Sequence, residues 1–391
     1  MIQKYIILAT LSVFLVSCGF EKTETESSDT GVNTATETSE GEQAALDDFK
    51  NDLDTLLGVD EGSESETETD SVELTGTSIT QEFIEKNYAE SLVGDVEIVD
   101  CTLSSGTESQ CYKFTVAPDP TIDHEIGPWC PRNITDTEIA GGIWPDDGQI
   151  YEVSGEFVQN LAVFYEDDAW QLYDTETGEI NVTDTQVSCE GAAKPDVEEE
   201  YQNHCVECQL SYMDEIPNVT YTIPMSPEPA ESTQSINNGI GVGVAFNGVK
   251  FDASAPTQNI LAANTIAPFD DCGGHINLNV GYHYHETTGC SKEISIIDEE
   301  ESMIGLALDG YPMFTQAADT IDLDSCGGHI VDGVYHYHVA ETGSNQFLGC
   351  YAAEYGCVST DADATCDASQ TETRGGPPQG GDRPEGPPPA R

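Results

Sequence analysis

The chain has 391 residues, 73 of them acidic and only 12 basic, for a formal net charge of −61. A surface this acidic repels nucleic acid and anionic lipid headgroups, which excludes both as partners for the body of the protein. Two uses of such acidity remain: staying hydrated in salty water, where the Debye length is about 8 Å or less, and gathering calcium.

The N-terminus reads as an export signal. Lys4 gives a positive start, residues 6–16 an apolar stretch too short to span a bilayer, and Leu15-Val16-Ser17-Cys18 a lipoprotein processing box. The mature protein is expected to begin at a lipidated Cys18, outside the cytoplasm and anchored through that lipid to a bacterial membrane, with the outer membrane or cell surface as its place. Residues 19–77 are rich in Glu, Thr, Ser and Asp. They hold too little apolar surface to offset the entropy of ordering and are expected to form an acidic, disordered tether. Within it, Leu46, Phe49, Leu53, Leu56 and Leu57 follow a helical spacing.

Of 13 cysteines, Cys18 is assigned to lipid. The rest are even in number, as disulfides in an oxidising compartment require: Cys101, Cys111, Cys130, Cys189, Cys205, Cys208, Cys272, Cys290, Cys326, Cys350, Cys357 and Cys366. Thiolate metal ligands or a catalytic thiol are the alternative. Cys101 and Cys111 stand beside β-prone runs at 96–99 and 112–116 across a Ser/Gly loop, which makes them a local pair. Cys205-x-x-Cys208 reads as structural rather than redox, because no thioredoxin-like βαβ pattern surrounds it.

Beyond residue 78 the chain turns to short apolar runs, with one helix expected over 79–92. Runs at 149–153, 157–165, 170–173 and 179–182, the last two joined by a turn at 174–178, read as strands. Ser226-Pro227-Glu228-Pro229 is expected to divide an N-terminal β-rich domain, 78–225, from a C-terminal domain, 226–360. A disordered Gly/Pro-rich tail, 361–391, should follow. Asp361-x-Asp363-x-x-x-Asp367 is the best local calcium candidate, although it lacks the glycine and final glutamate of an EF-hand loop.

The C-terminal domain repeats itself at about 240–290 and 303–350. Each repeat opens on an apolar hairpin, turned at Asn247-Gly248 or Asp309-Gly310. Each then carries Cys-Gly-Gly-His, ending at His275 or His329, and Tyr-His-Tyr-His, ending at His285 or His338. Six of the 8 histidines lie in these motifs. The glycine pairs read as turns rather than phosphate loops, since no helix pattern follows. The fold class expected is mainly β with long loops, a β-rich α+β arrangement stabilised by disulfides, in which the two repeats pack about a pseudo-twofold axis.

On a strand, His283 and His285 project to one side and Tyr282 and Tyr284 to the other; His336 and His338 against Tyr335 and Tyr337 follow the same rule. Two imidazoles at i and i+2 can share a metal, and His275 and His329 arrive from the glycine turns as third ligands. Three histidines are the ligand count of an open, catalytic-type site, and imidazole suits zinc and copper alike. Asp271, Asp309 and Asp324 are candidates to orient the imidazole N–H groups, or simply turn formers. Another reading makes the histidines structural, in a non-catalytic extracellular interaction module. Whether the protein is an enzyme, and on what substrate or with what protein partner, does not follow from these motifs.

Asn247-Gly248-Val249, Asp271-x-Gly273-Gly274-His275, both Tyr-His-Tyr-His runs, residues 305–312, Cys326-Gly327-Gly328-His329 and Leu348-Gly349-Cys350-Tyr351 together resemble the YHYH-domain proteins. The resemblance covers roughly 221–351 and implies an exported protein with no established reaction. Thr315 departs from the family pattern, which has glycine after Phe314, and this bears on the local turn.

Overall fold

The computed structural model describes residues 79–373, apart from 195, 237–239, 296–300, 319 and 332. The expected signal peptide, Cys18, the tether with its 46–57 stripe and the end of the tail lie outside the described residues. All that is described falls within Glu68–Arg391, which is a single contact unit.

A short helix, α1 (Gln81–Asn87), opens on a Thr80 cap whose hydroxyl accepts the Phe83 N–H at 3.1 Å. It ends earlier than the expected 92. Tyr88 is fully buried and its hydroxyl donates to the Val244 carbonyl at 3.0 Å, which pins the chain there. Strands β1 (Leu92–Thr102) and β2 (Glu108–Val116) form the expected hairpin, closed by Cys101–Cys111. Next come β3 (Ile143–Asp146) and β4 (Gln149–Glu152), a small antiparallel pair.

The run 157–165, expected as a strand, is helical: α2 (Gly155–Gln159) and α3 (Leu161–Phe164). Ser154 caps α2 by accepting the Phe157 N–H, and Val158 and Leu161, three apart, are the buried positions. That is helix spacing, with Gln159 and Asn160 between them exposed. Residues 170–173 and 179–182 are tied by one bridge, Tyr173 to Ile180, around the expected 174–178 turn. Then follow α4 (Gln186–Ala192), β5 (Val219–Pro224) and β6 (Pro229–Gln234).

The repeats begin with β7 (Gly243–Ala245) and β8 (Lys250–Phe251), then α5 (Thr257–Ala262), β9 (Gly274–Asn277), β10 (Gly281–Tyr284) and β11 (Ile294–Ser295). The second contributes β12 (Ser302–Ala307), β13 (Pro312–Phe314), β14 (Gly328–Val331) and β15 (Val334–His338). Strands β16 (Tyr351–Ala353) and β17 (Cys357–Ser359) complete the chain order.

Most of the repeat strands join in one sheet of order β14-β15-β13-β12-β7-β8-β10-β9, with β11 added to β12. Hairpin, parallel neighbour and outer antiparallel strand follow in the same sequence from the centre to either edge. At the centre Gly305 faces Ala245, Leu306 faces Val244 and Ala307 faces Gly243. Exchanging the repeats maps this register onto itself, as a twofold axis between Val244 and Leu306 requires. The architecture is mainly β, as expected, and its strand order reads the same from the centre to either edge.

A second sheet, β1-β2-β5-β17, and the pairs β3/β4 and β6/β16 complete the β structure. Alternation along the central strands sends Val244 and Leu306 into one core cluster with Phe114 and Tyr221 of the second sheet. Ala245, Ile304 and Met313 go into the other, with Trp129, Trp144, Leu161 and Leu172. Packing therefore crosses the division expected near 226. The chain from 361 onward also joins this body: Cys366 bonds Cys357, its carbonyl accepts the Thr102 N–H at 3.0 Å, and Ala368 is buried.

All twelve remaining cysteines pair, through Cys130–Cys205, Cys189–Cys208, Cys272–Cys290, Cys326–Cys350 and the two bridges already named. The C-x-x-C residues bond outward to different partners and not to each other. Bridging the 75-residue separation of Cys130 and Cys205 removes about 4 kcal/mol of unfolded-chain entropy in the loop-closure model. Among the described residues no helix is long and apolar enough to cross a membrane.

Leu306 sits at the symmetry centre and is 1% exposed. Leu306→Ala is expected to lower stability by about 2–5 kcal/mol with the disulfides intact. Urea unfolding at neutral pH checks this, and a loss under 1 kcal/mol would show that the central pair is not a tightly packed core position.

Candidate functional site

Each Cys-Gly-Gly-His run turns into an edge strand that pairs with its Tyr-His-Tyr-His strand. His275 lies opposite His283 in the β9/β10 register, and His329 opposite His336 in β14/β15. His285 and His338 follow two residues on, on the same side as their partners. The two glycines serve different needs. Gly273 and Gly327 take φ of +79° and +89°, a left-handed backbone that ordinary side chains avoid. Gly274 and Gly328 lie beneath a tyrosine: an added Cβ would stand 2.4 Å from the Tyr282 hydroxyl or 2.2 Å from that of Tyr335.

The structure brings all six predicted histidines together as two separate triplets, His275 with His283 and His285, and His329 with His336 and His338. In each, the candidate ligand atoms lie within 4.8 Å of one another. The second is the tighter. Its three Nε2 atoms form a triangle with edges of 2.8, 3.1 and 3.1 Å. In the first, the His275 and His285 Nε2 atoms are 3.2 Å apart.

Hydrogen bonds at the far side of the rings fix what these atoms are. Nδ1 of His283, His285 and His338 meets the carbonyls of Gly281, Ala253 and Thr315 at 3.0, 2.6 and 2.9 Å. A carbonyl only accepts, so Nδ1 carries the proton and Nε2 presents a bare lone pair. Burial lowers the pKa of His275, His283, His285 and His338, and burial with the neighbouring imidazoles takes His336 down to about 3. The bare Nε2 lone pairs of His283, His285 and His338, aimed into their triplets, offer themselves to a cation there. A tetrahedral site with metal–nitrogen bonds of about 2.0–2.1 Å has ligand nitrogens about 3.3 Å apart. The observed separations fit a metal with little adjustment.

Residues 220–369 match the family model described as YHYH protein. The chain carries a YHYH domain. No curated protein and no solved structure matches it.

The tyrosines of the YHYH domain brace its turns from the opposite side. Tyr282 donates to Asp270 at 2.9 Å, and Tyr335 to Asp324 at 2.9 Å. Each carboxylate also accepts two N–H groups of its own Cys-Gly-Gly turn. The inner tyrosines reach the hairpin turns: Asn247 donates to Tyr284 at 3.0 Å, and Tyr337 donates to Asp309. Asp309 and Asp324 thus hold tyrosines rather than orienting imidazoles, and Asp271 contributes a backbone carbonyl that accepts the Thr288 hydroxyl. Backbone carbonyls do the orienting instead. Asp270 is the residue the motif reading missed; aligning the repeats on Cys272 and Cys326 pairs it with Asp324. Thr315, the departure from the family pattern, keeps the local turn through its N–H bond to Ser302 at 2.9 Å.

The first triplet lines a cavity of about 240 Å³ with Trp129, Val206, Ile260 and Asp252. Carboxylates at 361, 363 and 367 do not converge; among the described residues only the two histidine triplets gather three metal-binding groups. Asp361 and Asp367 instead accept from Asp363 N–H and the Ser369 hydroxyl, closing local turns. His124 and His204 lie outside the triplets, His124 against Tyr282 and Tyr284.

Burial raises the pKa of Asp309 to about 7, against hydrogen bonds that favour its charged form. An unfolded aspartate ionises near 3.9. Between these values the folded protein holds a proton that the unfolded chain has lost, so the contribution is full below about pH 4 and is lost as pH rises through 7. Asp309→Asn, which copies Asn247 of the first repeat, removes this dependence. Relative to the parent protein, the variant is expected to gain about 2–3 kcal/mol between pH 5 and pH 8. Denaturant unfolding of both proteins in chelator at the two pH values checks it, and a pH-independent difference would refute it.

Proposed function

We propose that the YHYH domain binds two transition-metal ions, copper or zinc, one through His275, His283 and His285 and the other through His329, His336 and His338. The observation that carries this is the aim of the imidazoles. Carbonyls at Gly281, Ala253 and Thr315 hold the protons of His283, His285 and His338 on Nδ1, so these rings turn bare Nε2 atoms into their triplets, with those of His285 and His338 3.1–3.2 Å from a neighbouring Nε2. Three neutral nitrogens suit both metals, and thiolates play no part because every cysteine in the body is in a disulfide. The six bridges favour an oxidising compartment. This supports export from the cytoplasm; with a lipid anchor at Cys18, copper or zinc handling at the membrane surface is the role that follows.

Protein purified without a histidine tag and exposed to zinc or copper is expected to retain two ions per chain by elemental analysis. His283→Ala with His285→Ala should retain one. Stripping the metal should lower stability by about 2.7 kcal/mol for each site previously held at a hundredfold excess over its Kd. A purely structural set of histidines predicts no retained metal and no effect of chelator, and that pair of results would end the proposal.

A further inference from the structure

The repeats share their ligands but not the surroundings of those ligands. The parallel registers align them: Phe251 pairs with Tyr284 as Met313 pairs with Tyr337. Ala253 and Thr315 then correspond, and both carbonyls receive a histidine Nδ1. One residue earlier, Asp252 corresponds to Phe314, and Lys250 to Pro312. In the first repeat these positions hold an ion pair, Lys250 to Asp252 at 3.0 Å, and Asp252 lines the cavity with the triplet. In the second, the Phe314 ring packs on His336 and His338 with centroids 4.7 and 5.8 Å apart.

The cavity wall has a separate origin. Trp129, Lys194, Val206 and Glu207 lie in the chain before the family match begins at 220, on segments stapled by Cys130–Cys205 and Cys189–Cys208. At about 240 Å³ the space is below the usual range for drug-sized ligands, about 300–1,000 Å³. Its lining is mostly apolar, and the nearby lysines are occupied, Lys194 by Glu198 at 2.7 Å and Lys250 by Asp252. The strongly negative chain and the Asp252 carboxylate in the lining oppose the pull that a bound metal ion would exert on an anion, which leaves a neutral ligand the better fit.

We infer that the first triplet is a ligand-exchanging metal site for a small neutral molecule bearing a lone-pair donor beside an N–H or O–H, such as an azole or a phenol, while the second triplet is a closed structural site. This rests on the metal-binding proposal. The donor atom takes the open position on the metal, the hydrogen is accepted by Asp252, and the apolar body lies against Trp129, Val206 and Ile260.

Cobalt(II)-loaded protein titrated with imidazole and with 1-methylimidazole, followed by visible absorption, tests it. One of two cobalt ions per chain should respond. The response should persist in His336→Ala with His338→Ala. It should vanish in Ile260→Trp, which fills the cavity and retains both ions. Asp252→Asn, also with both ions retained, should bind imidazole about tenfold more weakly and 1-methylimidazole, which has no N–H, unchanged. Two ions of which both or neither respond, or an Asp252→Asn loss equal for the two azoles, would overturn this inference and leave metal binding standing. Failure to hold two ions would overturn both.

Discussion

A proton held on Nδ1 decides what the pattern of histidines repeated along the chain can do. Imidazole has two nitrogens and, when neutral, one proton; placing a carbonyl against Nδ1 assigns that proton and leaves Nε2 as a donor of electrons. Ala253 and Thr315 do this from just past the ends of the strands parallel to the histidine strands. Everything in the sheet that fixes the register of those strands therefore also fixes the chemistry of the rings. A one-residue slip would turn each pair of histidines to the opposite side and bring the tyrosines in their place.

The remaining parts of the domain hold that register. Glycines at 274 and 328 allow the outer tyrosines to lie over the turn, and Asp270 and Asp324 secure the hydroxyls. Inner tyrosines lock onto the hairpin turns at Asn247 and Asp309. The central strands then join the repeats through Val244 and Leu306, and apolar cores on two sides fix the sheet between the N-terminal hairpin and the Trp129–Leu172 region.

Much of this was legible because its signals are local. The Asx-Gly hairpins, the Cys101–Cys111 loop, the duplicated histidine motif and the alternation of histidine with tyrosine all rest on spacings of a few residues. The helices at 155–164 were missed because the apolar residues 157, 158 and 161–164 follow no single period, and only burial distinguishes Val158 and Leu161 from the exposed Val163. Asp271 was preferred to Asp270 because two adjacent aspartates look alike until the repeats are aligned on cysteine. The cavity wall was not legible at all. It is built from residues as distant as Trp129 and His285, through disulfides whose partners no spacing rule selects.

The ligands and the groups that aim them lie at different distances along the chain. His275 and His285 are 10 residues apart, and His329 and His338 are 9, within one hairpin each. The carbonyl partners of His285 and His338 are 32 and 23 residues away and are reached only through the parallel pairings. In a nascent chain the hairpin can close by itself, whereas parallel strands need their crossover completed first. The histidine hairpins can therefore close before the carbonyls that aim His285 and His338 are in place.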